Sequence, residues 1–163
     1  MAIWVCRTGL NGQYEETYFD NNCICLTREG FDFDLSKCDK DDVITRITEL
    51  NPEVARQTIS NTWSQINIFT EKMAIGDVVI IPKKKSFDIN VAIITGKYCY
   101  DPNKKFPLNH SRTIKVLAKD IVTTSFPQDI RYSLGAFRTI FGIRQEERLM
   151  EELKKAAVKF DEV

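Results

Sequence analysis

The sequence predicts an α+β domain: one strongly bent, mostly antiparallel sheet of five or six strands with flanking helices. Three observations predict it. Short, β-favouring apolar runs recur at residues 2–6, 23–27, 78–82, 88–100, 111–118 and 137–143. Most of the helical spacing falls before the third of these runs, and the strands after it are joined mainly by turns, which favours antiparallel neighbours. The 163 residues, 43% hydrophobic and 10% aromatic, are enough to fill one sizeable core, so disorder is not expected over most of the length.

Taken in order, AIWVC (2–6) opens the sheet and Asn11-Gly12 marks a turn. QYEETYFDN then places Tyr14, Tyr18 and Phe19 at helical spacing, and CICLT (23–27) is a second short strand. The acidic loop EGFDFDLSKCDKDD leads into VITRITEL, a helix with Asp41 or Asp42 as its cap. Asn51-Pro52 ends that helix and starts another carrying Val54, Ile59, Trp63, Ile66, Phe69 and Met73. Ser60-Asn61-Thr62 interrupts its apolar rhythm, so a break is expected there. Gly76-Asp77 closes the element before the buried strand VVIIP. Lys83 to Lys85 form a charged turn, DINVAIITGKYCY reads as one long strand, SRTIKVLA as the next, and SFPQDIRYSLG as a short helix. Phe137 to Ile143 make a final strand. The domain is drawn at 1–143. Residues 144–163, heavily charged with a narrow stripe of Leu149, Leu153 and Phe160, form an amphipathic helix that either packs at the end or links to an effector domain.

Charge and cysteines narrow the function classes. Lysine plus arginine (23) balance aspartate plus glutamate (23), so a binder held by bulk charge is not expected, although a local basic face is allowed. The five cysteines include no CxxC pair, and Cys23 and Cys25 alternate along a strand rather than forming a zinc knuckle. Reduced thiols of a cytoplasmic protein are expected, with no metal and no cofactor. MAIWVCRTG lacks the features of a signal peptide, and no apolar run is long enough to cross a membrane.

The chemistry-bearing residues point to binding more than to catalysis. His110 is the only histidine, and the sequence offers it no orienting acid, so a small hydrolase pairing it with a cysteine is the weakest reading. The carboxylates of FDFDLSKCDKDD lack the glycine and terminal glutamate of a calcium loop, and phosphate-loop and dinucleotide patterns are absent. No catalytic residue is therefore assigned. On strands, Tyr98 shares a face with Tyr100, and His110 with Arg112. Lys83, Lys84, Lys85, Lys97, Lys104 and Lys105 gather near the same turns. Aromatic faces stack bases and lysines neutralise phosphates, which suits a single-stranded or flipped nucleotide; the competing reading is a half-buried tyrosine pair with lysines keeping sheet edges soluble. Asn61 beside Trp63 offers a donor and an acceptor for a base edge, and Arg7 follows Trp4 near the mouth of the sheet.

The order IWVCRTG, NGQYEETYF, FTEKMAIGDVVIIP, ITGKYCYD, HSRTIKVL, SLGAFRTIFGI resembles the N-terminal modules of Mrr-like restriction-system proteins, which are similar to the EVE and YTH domains of the PUA-like superfamily. The resemblance spans residues 2–143. It implies a PUA-like bent β-barrel and a pocket that takes one flipped, often modified, DNA base between aromatic side chains. It further implies a role as the specificity module of a restriction or antiviral defence protein whose nuclease or motor is a separate domain. Trp4 and Arg7 match the family's opening Trp-x-x-Arg, Gly76 and Asp77 its Gly-Asp turn, and Tyr98, His110 and Arg112 its Gly-x-Tyr and His-x-Arg strands. Leu117 stands where the family often has a tryptophan. The resulting expectation is base contacts from Trp4, Arg7, Asn61, Trp63 and Tyr98, and backbone contacts from Lys83, Lys84, Lys85, Lys104, Lys105, His110 and Arg112. The alternative is a non-catalytic protein-interaction or regulatory domain with the same barrel.

Overall fold

The computed structural model describes residues 1–136 and 138–160. Phe137, with which the expected last strand begins, and residues 161–163 of the expected terminal helix lie outside the described residues. The chain runs β1 (Ile3–Cys6), α1 (Glu15–Asn21), β2 (Cys23–Cys25), α2 (Lys40–Leu50), α3 (Arg56–Asn67), β3 (Val78–Pro82), β4 (Ile89–Ile94), β5 (Cys99–Tyr100), β6 (His110–Ile121), α4 (Gln128–Leu134), β7 (Ile140–Gly142) and α5 (Glu146–Lys155). A single 3-10 turn, Leu35–Lys37, precedes α2, and one wide π-helical turn, Ile68–Lys72, extends α3.

All seven strands belong to one curled sheet, a half-barrel ordered β2-β6-β4-β3-β1-β7 with β5 also paired to β6. Only β1 and β3 are parallel, with Trp4 opposite Val79. The long connection through α1, β2, α2 and α3 makes that direction attainable, while the close hairpin joining β3 to β4 enforces the antiparallel one. Strand β6 carries the curl. Its first residues pair with β2 on one edge and β5 on the other, and its later residues pair with β4 through two register shifts. At the bulge Asp120 takes φ +59°, and its N–H donates to the Asn90 side chain at 3.0 Å.

Both faces of the sheet are covered, which is why β3 reads as an unbroken apolar run. Val79, Ile81, Ala92 and Ile94 point into a first core with α1, α2 and α3, around Tyr18, Ile66 and Phe69. Val78, Ile80, Val91 and Ile93 alternate into a second core with α4 and α5. Leu149 and Leu153 of α5 are fully buried there and Val158 nearly so, while its polar face carries Arg148, whose two Nη atoms donate to Asp129 of α4 at 2.6 and 2.9 Å. The boundary drawn at 143 thus falls inside a packed unit, because the apolar stripe of the charged helix completes the second core.

Three local expectations are corrected. Helix α2 is capped by Asp39, ahead of the expected Asp41 or Asp42: the Asp39 carboxylate accepts from Asp42 N–H at 2.8 Å, and the Asp42 carboxylate accepts from Asp39 N–H at 3.1 Å. Helix α3 runs unbroken through Ser60-Asn61-Thr62, and its irregular turn comes later, at 68–72. The long strand 88–100 is two strands, with Thr95 to Tyr98 outside the ladder. Among the described residues, no helix is long and apolar enough to cross a membrane.

Candidate functional site

The rim expected to carry base and phosphate contacts is closed. His110 is fully buried at the start of β6. Its Nε2 faces the Phe31 carbonyl, which can only accept, so the proton sits on Nε2. Nδ1 is then the acceptor for the Tyr98 hydroxyl at 2.6 Å, and that oxygen also accepts from Leu35 N–H at 3.2 Å. The Tyr98 and imidazole rings lie nearly parallel with 5.8 Å between centroids, joined end to end by the hydroxyl–Nδ1 hydrogen bond, and Tyr100 lies 4.9 Å from the imidazole. Burial pushes the His110 pKa down and the Tyr98 pKa up, so both are held neutral. Arg112 is only 3% exposed, and its guanidinium donates to the Phe69 carbonyl at 3.0 Å and to the Gly96 carbonyl at 3.1 Å. Contrary to expectation, His110 and Arg112 have no surface to offer a phosphate, and the Tyr98 hydroxyl is committed to the histidine. Each of these groups satisfies a neighbour that would otherwise be an orphaned buried polar atom.

The other expected base contacts are also dispersed. Trp4 lies over Gly142, where an added Cβ would come within 3.1 Å of the indole, and its Nε1–H donates to Asp77 at 2.9 Å. The same carboxylate accepts from the N–H groups of Ala2 and Ala74, so the Gly-Asp turn locks β1 to β3. Trp63 is partly buried against the first core, and Asn61 accepts from Gln57 one helical turn back at 3.1 Å. Trp4, Trp63 and Tyr98 are thus each engaged with the first core and not gathered in one cage.

An open cavity of about 310 Å³ lies elsewhere, at the end of β1. The loop Arg7–Gly12 forms one wall, and Pro82, Lys83 and Lys84 of the β3–β4 turn form the other. Gly9 and Gly12 adopt φ +97° and +67°, which fold the loop tightly enough for a Gly12 Cβ to strike the Lys84 stem at 2.8 Å. The two walls therefore abut. Lys83 is fixed by an ion pair with Asp120 at the bulge of β6. Lys84 donates its backbone N–H to Glu15 at 3.2 Å, and its side chain is exposed beside the cavity. Arg7 turns its guanidinium to the carbonyls of Leu134, Ala136 and Arg138, closing the end of α4 while its charge stays beside the cavity. Thr8 is 1% exposed, and its hydroxyl has no hydrogen-bond partner. That hydroxyl is covered behind the cavity wall, while the open walls are polar and carry lysine side chains.

Sequence reasoning therefore selected three of the cavity's residues, Arg7, Lys83 and Lys84, and missed Thr8 and the two glycines. The available signal was Gly9-x-x-Gly12 directly after a strand, of which only Asn11-Gly12 registers as a turn. Lys85 is exposed on the same hairpin. Lys104 and Lys105, also exposed, belong to a loop brought toward this end by the edge-on contact of Phe106 with Tyr14, 5.7 Å between centroids. No histidine, cysteine or carboxylate lines the cavity, and among the described residues no three such groups converge as metal ligands. All five cysteines are free, and Cys23 and Cys25 bring their sulfurs within 3.7 Å inside the first core.

Comparison with curated proteins and with solved structures finds no match. One family, described as a domain of unknown function, DUF8426, matches residues 4–136, from β1 through α4 and short of β7 and α5. Because that match covers most of the sequence, the chain belongs to the DUF8426 family.

Proposed function

We propose that this domain binds nucleic acid, DNA in the first place, and takes one nucleotide into the cavity at the end of β1. The observation that carries the reading is the cavity itself: polar walls, with Arg7, Lys83 and Lys84 around it. A volume of about 310 Å³ suits one base or nucleotide and little more. Cations at the mouth neutralise phosphates on either side, and the exposed Lys85, Lys104 and Lys105 extend the same field. The loop backbone supplies polar contacts to the entering group. The order of motifs shared with restriction-system modules supports DNA as the ligand, a modified base as its distinguishing feature, and a defence role. In that role the chain has no catalysis of its own, and a fused or associated nuclease or motor domain acts on what it reads. The pocket proposed is polar rather than an aromatic cage, since Trp4, Trp63 and Tyr98 are engaged in the cores.

The test is a fluorescence-anisotropy titration of labelled duplexes, unmodified and carrying methylated cytosine or adenine, at two salt concentrations. Saturable binding that weakens with salt is expected, with Lys84→Glu reducing it and Trp63→Ala leaving the affinity of the folded protein in place. Absence of saturable binding to every duplex would overturn the reading and leave the protein-interaction alternative.

A further inference from the structure

The cavity's two loops carry a pair of side chains that the proposed binding has not used. Phe87, at the tip of the β3–β4 turn, is 91% exposed, and Leu10, on the cavity loop, is 79% exposed. They are the two most exposed large hydrophobic side chains among the described residues. The backbone beneath Phe87 is braced. Lys83 N–H donates to the Asp88 carbonyl at 3.0 Å, Asp88 N–H to the Ser86 hydroxyl at 3.3 Å, and the Thr123 hydroxyl to the Phe87 carbonyl at 2.9 Å. A phenyl ring held in water on a fixed turn, with Lys84 and Lys85 just before it, is unfavourable in the free protein and gains on meeting an apolar partner.

We infer that Phe87 and Leu10 act as wedges that enter the base stack and fill the space left when a nucleotide moves into the cavity. The inference rests on the nucleic-acid reading above and deepens it. Extruding a base from a duplex opens a gap between the neighbouring pairs, and apolar side chains such as Phe and Leu are suited to occupying such a gap. The flanking lysines complement the phosphates of the same step, which an apolar protein face would not require. The two side chains also sit on the two loops that form the polar cavity, so together they make isolated apolar tips beside a polar recess, not one contiguous apolar patch. That arrangement matches a ligand whose bases and phosphates alternate along its length.

The experiment uses a short duplex with 2-aminopurine placed in a mismatch, where extrusion costs least. Anisotropy reports binding, and 2-aminopurine fluorescence reports unstacking in the same titration. The unaltered protein is expected to raise the fluorescence in parallel with the anisotropy. The double variant Leu10→Ser, Phe87→Ser, whose sites are exposed and whose melting temperature should be unchanged, is expected to bind about tenfold more weakly and to lose most of the fluorescence rise. Binding by the unaltered protein without a fluorescence rise overturns the wedge and spares the binding reading, as does a double variant with unchanged affinity and signal. No binding by the unaltered protein overturns both.

Discussion

Two cationic regions of this molecule contain similar residues and differ in what those residues face. At the start of β6, His110, Arg112 and Tyr98 are turned inward, and their polar atoms meet carbonyls of Phe31, Phe69 and Gly96 and the Leu35 N–H. At the end of β1, Lys83 and Lys84 border a cavity whose wall holds a hydroxyl with no partner. Each region also holds one buried side-chain oxygen without a partner, Asn109 Oδ1 beside His110 and Thr8 Oγ1 beside the cavity. What separates a framework from a site here is exposure: His110 and Arg112 are buried, whereas Lys84 is open to solvent.

The largest expected effect tests that separation through stability. His110→Ala removes a fully buried ring and orphans the Phe31 carbonyl and the Tyr98 hydroxyl together, so it should cost about 3 kcal/mol of unfolding free energy. Phe87→Ala, in the open region, should stay within about 0.5 kcal/mol of the unaltered protein. Urea denaturation curves measure both. A His110→Ala protein as stable as the Phe87→Ala protein would break the comparison at its base.

A second, smaller effect follows from the direction of the His110 shift. Burial lowers its pKa in the folded state, against opposing contributions from the Phe31 carbonyl, Asp32 and Asp34. As pH falls below the unfolded value of about 6.5, the unfolded chain takes up a proton that the folded one refuses. Stability is therefore fully present above that value and falls with decreasing pH until the lowered folded pKa is reached. Asp34 and Asp129 are also shifted downward, by the Ser36 hydroxyl and by Arg148, so their contributions are lost at still lower pH, as it falls from the unfolded carboxylate value through the lowered folded one. Melting temperatures across pH 4 to 8 (a window of about four units around the reference values) should show the histidine step, and His110→Gln should flatten it. A profile unchanged by that substitution would mean the imidazole is not the titrating group.

Much of the framework was legible because it depends on local pattern. VVIIP reads as a strand covered on both sides, and its alternation into two cores is what such a run requires. The amphipathic stripe of α5 was also visible, though not that it completes a core shared with α4. What could not be read depends on partners distant in sequence. The irregular turn after α3 is placed where the Phe69 carbonyl meets Arg112, 43 residues away, while the polar Ser60-Asn61-Thr62 stays helical. Lys83 and Lys84 are adjacent and chemically alike. Only the fold reveals that Asp120 at the β6 bulge holds the first while the second stands at the cavity mouth. The same limit hid Thr8, since a threonine after a strand carries no sign of an unmet hydroxyl.

That hydroxyl allows the smallest and most discriminating prediction. In a framework position, converting a hydrogen-bonded threonine to valine destabilises the protein, because a partner is left unpaired. At Thr8 there is no partner to orphan, and the folded chain already bears the cost of a buried polar atom. Thr8→Val should therefore leave stability unchanged or raise it by up to about 1 kcal/mol, with nucleic-acid binding unchanged because the covered hydroxyl does not reach the cavity. A gain in stability at unchanged affinity is the behaviour of a buried orphan that no ligand meets. Urea midpoints beside anisotropy titrations measure the pair, and a Thr8→Val protein that loses stability would show that the hydroxyl has a partner in the folded chain.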